Sequence, residues 1–202
     1  MKNIKKKYLI ILTLLVMSLL SVGIVSYANN STDVKQMMLN EAKGITANQD
    51  VLKNKTQIGE IDGLPLYAEE LELYKIKKEA QNSANPYKDA LESLKIIKHD
   101  EKLAEKYNIV ITDEEVAEYN KDQRKLSEGA DAETKQIVQE YINALGLTEG
   151  QYWTEYKMIE NRGYLLKNTV QHYLEENKIQ DIDKSEIEYK ITNEKYQELI
   201  EQ

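Results

Sequence analysis

Hydrophobic residues recur at intervals of three and four along most of the chain, and this spacing predicts amphipathic helices. Two prolines and eight glycines among 202 residues leave few interruptions between helices. The predicted fold class is therefore mainly α. For residues 29–57 the pattern fits two descriptions: a linker that carries a short amphipathic helix over 32–45, and a partly ordered linker without one. The apolar positions of this segment are Val34, Met37, Met38, Ala42 and Ile45.

A small β-hairpin is predicted where the helical spacing stops. Residues 58–61 and 64–66 are short strand-like runs, and Asp62-Gly63 separates them. Asp-Gly readily adopts the positive φ angles that a tight primed turn requires. We therefore expect an N-terminal hairpin, followed by helices over 68–83 and 87–107, with Asn85-Pro86 ending the first of them.

The third predicted helix, over 112–127, is the most polar. Thr112 and Glu115 form a capping-box sequence at its start, in which each side chain satisfies a free backbone amide. Apart from Val116, Tyr119 and Leu126 its residues are polar, and so thin an apolar stripe is typical of an exposed arm.

One long helix is predicted near the C-terminus. The preceding helix ends at Gly146, and Thr148 with Gln151 forms a second capping box that begins the long helix at once. Its apolar positions alternate steps of four and three, which predicts a continuous packing seam. Gly163 within this seam is expected to let a neighbouring backbone approach closely. The seam consists of Tyr152, Tyr156, Ile159, Gly163, Leu166, Val170 and Tyr173.

The N-terminus has the composition of an export signal. Lysines precede an apolar run from Tyr8 to Val25, and Ser26-Tyr27-Ala28 fits a cleavage site. The run nearly reaches the ~20 residues that cross a bilayer, so residues 1–28 are interpreted as a signal peptide or a signal anchor. An uncleaved chain would touch the membrane only through residues 8–27. Both alternatives predict an extracytoplasmic protein, either secreted or anchored to the outer face of the cell membrane.

The amino-acid composition excludes several kinds of functional site. The chain has no cysteine and two histidines, which excludes disulfides, thiol nucleophiles and multi-histidine metal sites. The first 28 residues hold four of the 27 Lys and Arg and none of the 35 Asp and Glu, so the remaining residues carry a net charge of −12. Such an acidic chain repels nucleic acid, which is not an expected partner.

Neither histidine nor any carboxylate pair gives a convincing catalytic or metal site. His99 beside Asp100, and His172 near Glu175 or Glu176, lack further ligands, and both are interpreted as solvated surface contacts. Acidic residues such as Glu69 and Glu70 lie at helix starts, where the helix dipole favours negative charge. The sequence therefore predicts no enzyme, no metal and no cofactor.

The order of elements resembles the N-terminal chaperone domain of the SurA and PrsA family of extracytoplasmic foldases. The similar segments are IGEIDGLPLYAEEL (58–71), YKDALESLKIIKHDEKLAEKYNIVITDEEV (87–116) and Leu-Gly-Leu-Thr (145–148) followed by Tyr-Trp (152–153). The resemblance covers about residues 56–190. It implies that residues 58–202 form a multi-helix chaperone cradle with a small N-terminal hairpin and one long C-terminal helix.

The resemblance also defines what the cradle lacks. In the family a parvulin prolyl isomerase domain is inserted after the long helix, whereas only residues 181–202 follow it here, so no isomerase activity is expected. A final helix of the family returns to the chaperone core. Because the tail alternates at Ile187, Tyr189 and Ile191 and then has helical spacing, we expect residues 185–202 to pack back in the same way.

A chaperone of this kind needs an apolar, partly exposed groove with adaptable side chains. The alternative is that Tyr152 and Tyr156 fill the packing seam and that Trp153 belongs to the core. The candidate groove residues are Tyr119, Tyr141, Tyr152, Trp153, Tyr156 and Met158.

Two functions remain open at this stage. The first is an ATP-independent holdase that binds apolar segments of unfolded or partly folded exported proteins. The second is a helical interaction module, tethered to the membrane, that recognises one dedicated partner. The sequence does not indicate an oligomeric state.

Overall fold

The computed structural model describes residues 31–201, so the predicted signal segment lies outside the described residues. Within this range the chain forms seven helices and one three-stranded sheet, which confirms the mainly α prediction. No helix in the described range is both long and apolar enough to span a membrane. The helices are α1 (Ser31–Ala47), α2 (Ala68–Ala80), α3 (Pro86–Tyr107), α4 (Asp113–Glu128), α5 (Ala132–Ala144), α6 (Glu149–Gln151, continuing through Tyr152–Tyr156 into Lys157–Glu176) and α7 (Glu194–Glu201). The strands are β1 (Gln57–Ile61), β2 (Leu64–Tyr67) and β3 (Tyr189–Ile191).

The described chain divides into two compact units. The first contains residues 31–43 and 111–165, and the second contains residues 44–110 and 166–201. The sequence predicts a linker at 29–57 and one domain at 58–202. The predicted helix over 32–45 is present as α1, and Val34, Met38 and Ala42 on it are buried. The first part of α1 therefore belongs to the core of the first unit.

The second unit is built around the small sheet, whose strand order is β2-β1-β3 with antiparallel pairing throughout. The hairpin prediction is confirmed, because Asp62 and Gly63 have φ angles of 53° and 82° in the turn between β1 and β2. The buried apolar residues of the hairpin and the helices beside it form one core cluster. It contains Ile58, Ile61, Leu66, Ala68, Leu71, Ala90, Leu91, Leu94, Ile187, Ile191 and Tyr196.

The C-terminal tail packs back on this core, as predicted. Strand β3 pairs with β1, with Ile191 opposite Gly59, and the tail residues Ile187 and Tyr196 join the same cluster. A second cluster joins α3 to the last turns of α6, where the rings of Tyr107 and Tyr173 lie 5.0 Å apart.

The third predicted helix, α4, is not an exposed arm, which corrects the prediction, because it packs within the first unit. Its buried face carries Val116, Asn120, Gln123 and Ser127, spaced by four, three and four residues. Three of these four residues are polar, so an apolar pattern could not reveal the face. By contrast, Leu126 is exposed, although the sequence pattern placed it in the apolar stripe of this helix.

Candidate functional site

Helix α6 contains a π-helical segment, Tyr152–Tyr156, within its first two turns. The backbone N–H of Lys157 donates to the carbonyl of Tyr152, five residues earlier instead of the usual four. Such segments are rare and frequently mark functional positions. Three of the six predicted groove residues, Tyr152, Trp153 and Tyr156, lie in this segment.

Side chains supply hydrogen bonds to the carbonyls around the π-helical segment. The amide of Asn120 on α4 donates to the main-chain carbonyl of Trp153. The Thr154 hydroxyl donates to the carbonyl of Gly150 at 2.9 Å, and Asn161 Nδ2 donates to Asn120 Oδ1 at 3.2 Å. The polar face of α4 therefore holds the unusual backbone of α6 in place.

The π-helical segment changes which side of α6 is buried. One extra residue in a turn rotates the following helix by about 100° relative to regular register. Lys157 and Asn161 are consequently buried, at 4% and 1% exposure, while Ile159 is 79% exposed. The predicted seam is therefore wrong at Ile159 and Gly163. A Cβ on Gly163 would meet nothing within 4 Å, so the predicted close approach of a backbone there is also wrong.

A buried tyrosine cluster lies on the inner side of the π-helical segment. The hydroxyls of Tyr141 and Tyr156 are 3.0 Å apart, and the rings of Tyr152 and Tyr156 stack at 5.7 Å. The Tyr141 hydroxyl also lies 3.4 Å from Glu41 Oε1, and that of Tyr156 lies 3.4 Å from Glu160 Oε1.

Two effects favour neutral phenols in this cluster. Burial raises the pKa of Tyr141 and of Tyr156 well above the ordinary value, and the neighbouring carboxylates Glu41 and Glu160 raise both further. The cluster thus acts as a hydrogen-bonded core in the first unit.

The six predicted groove residues do not form one exposed surface, which corrects the prediction. Tyr141, Tyr152 and Trp153 are buried. For Tyr152 and Trp153 this agrees with the alternative prediction that they fill the packing seam and the core. Tyr156 is half-buried within the tyrosine cluster. The two other candidates, Tyr119 and Met158, are also half-buried but lie outside that cluster. The ring of Tyr119 stacks on Tyr164 at 5.5 Å.

An open groove of about 500 Å³ lies between α4 and α6, on the outer side of the π-helical segment. Met158 and the exposed Ile159 supply its apolar surface, and we call it the Ile159 groove. It is lined by Asp113, Glu114, Ala117, Thr154, Met158, Ile159 and Arg162.

Charges beside the Ile159 groove are unevenly distributed. Arg162 donates to the carbonyl of Ile111 at 2.6 Å and forms an ion pair with Asp113. The Glu114 carboxylate adds a negative charge, so the lining carries a net charge of −1. This arrangement suits an apolar segment that carries a basic residue at its edge.

A second depression, of about 300 Å³, lies at the other end of α4. Trp153, Val138 and Ile142 form its apolar wall. Arg124 lies at its edge, where it pairs with Glu128 at 3.0 Å and with Glu149 at 3.4 Å. Trp153 thus borders a space large enough for a side chain, although it is itself buried.

Ile159 and Ala117 were not among the predicted groove residues. The alternating steps of four and three predicted that Ile159 is buried. No sequence pattern within α6 predicts the π-helical segment that exposes it. The sequence of α4 does contain a relevant pattern, because Asn120 and Gln123 follow Val116 at helical spacing and so share its face. Buried amides need hydrogen-bond partners, so Asn120 on this face implies polar groups on the element that packs against it.

His99 is not a solvated surface residue, which corrects the prediction for it. It is buried, its Nδ1 lies 2.7 Å from Asp62 Oδ2, and its Nε2 lies 2.9 Å from Asp181 Oδ1. His172 is exposed and lies 3.2 Å from Glu176, as expected. No group of three or more metal-ligating side chains in the described range could hold a metal ion.

Comparison of the chain with protein-family models, with curated proteins and with solved structures gave no match. A functional proposal for this chain consequently rests on its own sequence pattern and on the geometry of the Ile159 groove.

Proposed function

We propose that this protein is an exported, ATP-independent holdase that binds apolar segments of unfolded or partly folded exported polypeptides and has no prolyl isomerase activity. The observation that carries the proposal is the exposure of Ile159 in an open groove beside Met158. A solvent-exposed isoleucine contributes binding energy when a partner covers it and removes it from water.

The shape of the Ile159 groove supports binding without a fixed sequence. An open trough accommodates segments of different size, and the flexible thioether of Met158 adapts to different apolar side chains. Full coverage of an isoleucine side chain is worth about 1.5–3 kcal/mol. This contact supplies part of the binding energy of a reversible complex, which suits a holdase that must release its client.

Charge supports a particular class of client. The chain beyond residue 28 carries a net charge of −12, and the groove lining itself is acidic. Apolar segments flanked by Lys or Arg are therefore favoured over those flanked by Asp or Glu. The same charge keeps a complex with an aggregation-prone client soluble.

The N-terminal sequence and the resemblance to the SurA and PrsA chaperone domain support the extracytoplasmic setting. The lysine-rich start, the apolar run and Ser26-Tyr27-Ala28 favour export. A chaperone outside the cytoplasm has no ATP supply, so a holding mechanism without nucleotide fits that setting.

Aggregation of unrelated unfolded proteins tests the proposal. The exported protein is added, without ATP, to three chemically unfolded proteins of different sequence, and light scattering is followed as they are diluted. We expect suppression for all three at near-stoichiometric ratios, and stronger suppression for a client with lysine-flanked apolar segments than for a glutamate-flanked variant.

The alternative function, a module for one dedicated partner, predicts a different result. All three clients would then aggregate as fast as without the protein, and a pull-down from the exported fraction would recover a single protein. That pair of results would overturn the holdase proposal.

A further inference from the structure

His99 in the second unit makes contacts that the proposed function does not use. It lies on α3, and each of its ring nitrogens faces a carboxylate: Nδ1 faces Asp62 at 2.7 Å, and Nε2 faces Asp181 at 2.9 Å. Asp62 belongs to the turn between β1 and β2. Asp181 belongs to the connection between α6 and the C-terminal tail.

Only the protonated ring suits both neighbours. An imidazolium donates from both nitrogens, whereas a neutral imidazole keeps one N–H and turns a lone pair toward the other partner. A lone pair facing a carboxylate oxygen is repulsive. Loss of the proton therefore breaks one of the two contacts.

The two carboxylates are not equally free to leave. The side chain of Asp62 is 14% exposed, and its second oxygen accepts from Lys102 Nζ at 2.6 Å. The side chain of Asp181 is 43% exposed, so water can replace its contact with His99. The proton that remains on a neutral ring is thus best kept on Nδ1, and Asp181 is released.

Asp62 connects this contact to the tail directly. Its backbone N–H donates to the carbonyl of Glu188 at 2.8 Å, immediately before β3. Asp62, His99 and Asp181 therefore hold the connection at residue 181, and Asp62 also holds the tail beside β1. If the tail loosens, β1 loses a paired neighbour and becomes an edge strand.

We propose that Asp62, His99 and Asp181 form a pH-responsive latch, which fixes the start of the C-terminal tail while His99 is protonated and loosens it when His99 becomes neutral.

The charges around the latch agree with this direction. Burial on its own lowers the pKa of His99, but the hydrogen bonds and charges of Asp62 and Asp181 outweigh it, and the pKa is raised above the ordinary value. Lys102 on α3 faces Asp62 and offsets one of the two negative charges. On the same helix, Lys98 pairs with Glu70 and Glu101. On the tail, Glu188 is exposed.

The sign of the effect follows from the raised pKa. A group that binds its proton more tightly in the folded state contributes stability below its unfolded pKa, about 6.5 for histidine, and this contribution is lost as pH rises through the folded pKa. The latch is therefore closed in mildly acidic conditions and loosens toward alkaline pH.

Two histidines in the whole chain make the latch directly measurable. In the full exported protein carrying His172→Gln, a single imidazole signal remains, and its NMR titration gives the pKa of His99. Amide exchange protection of residues 187–191 is measured over the same pH range. We expect a His99 pKa above about 6.5 and a fall in protection of about tenfold for each unit of that elevation.

Matched variants separate the latch from general loosening. Asp181→Asn removes one carboxylate charge and should lower the pKa of His99, whereas Glu176→Gln, on the exposed face of α6, should leave it unchanged. His99→Gln cannot titrate, so protection of residues 187–191 should no longer depend on pH beyond the intrinsic exchange rate. A His99 pKa at or below about 6.5, or protection that stays constant through the titration, would overturn the latch and leave the holdase proposal unaffected.

Discussion

The side-chain amide of Asn120 donates a hydrogen bond to the main-chain carbonyl of Trp153, within the π-helical segment of α6. This contact links the polar face of α4 to the backbone turn that places Ile159 on the surface. Asn161, one turn beyond the buried Lys157, donates to the same Asn120 side chain at 3.2 Å. The Ile159 groove thus depends on buried amides.

Replacing Asn120 by alanine should destabilise the protein and alter the π-helical segment. The change removes the donor to the Trp153 carbonyl and the acceptor for the buried amide of Asn161, and each unsatisfied buried group costs about 1–3 kcal/mol. Urea denaturation measures this loss. Because the chain has one tryptophan, a shift of its fluorescence emission reports the altered environment of Trp153.

The control for this change is Asn143→Ala. Asn143 is exposed on α5, and its side-chain oxygen accepts a hydrogen bond from the exposed Gln139 Nε2 at 3.1 Å. Its replacement should change the free energy of unfolding by no more than about 0.5 kcal/mol. Equal stabilities for Asn120→Ala and Asn143→Ala would contradict the role assigned to Asn120.

Local signals allowed much of the fold to be predicted. Asp62-Gly63 specifies its turn through positive φ angles, and the capping boxes at Thr112 and Thr148 form as expected. Gly146 ends its helix with a φ of 71°. Each of these features involves residues within four positions of one another, so the sequence pattern contains the whole cause.

The Ile159 groove could not be predicted in the same way. The π-helical segment is held by Asn120, which is 33 residues away in sequence, and the register of α6 beyond it follows from that contact. Helical spacing alone therefore assigned Ile159 to the interior and missed Lys157 and Asn161. The burial of His99 was not predicted for the same reason: its partners Asp62 and Asp181 are 37 and 82 residues away in sequence.

Gly59 in β1 should tolerate no side chain. A Cβ at this position would collide with the main-chain oxygen of Lys190 and would lie 3.0 Å from the Cα of Ile191, both in β3. Backbone atoms of a paired strand cannot move aside without breaking the pairing, so Gly59→Ala should lower the free energy of unfolding by about 1–3 kcal/mol. Amide exchange should show lost protection in β3.

Gly163→Ala is the matched glycine control. Gly163 is exposed on α6, and a Cβ there meets nothing within 4 Å. Alanine is the better helix former, so this variant should gain about 0.5–1 kcal/mol. If both glycine variants lost stability to the same extent, the close pairing of β1 and β3 at Gly59 would be wrong.

Buried tyrosine hydroxyls account in part for a chain with 14 tyrosines and no phenylalanine. The Tyr141 hydroxyl contacts both Tyr156 and Glu41. Tyr141→Phe leaves these polar groups without that partner in a buried site, which should cost about 1–3 kcal/mol in thermal or urea unfolding. Tyr189→Phe, at a residue that is 50% exposed, should be nearly neutral. A neutral Tyr141→Phe would show that the hydroxyl cluster adds no stability.

The aggregation assay with a groove variant tests the central claim most directly. Ile159→Gln removes the exposed apolar side chain without adding charge, and Val51→Gln makes the same change at a residue that is 39% exposed and does not line the groove. Losing the burial of isoleucine corresponds to at least a tenfold weaker complex. The measured quantity is the protein concentration that halves the aggregation of an unfolded client. We predict an increase of about tenfold or more for Ile159→Gln and no change for Val51→Gln; an unchanged value for Ile159→Gln would contradict the account.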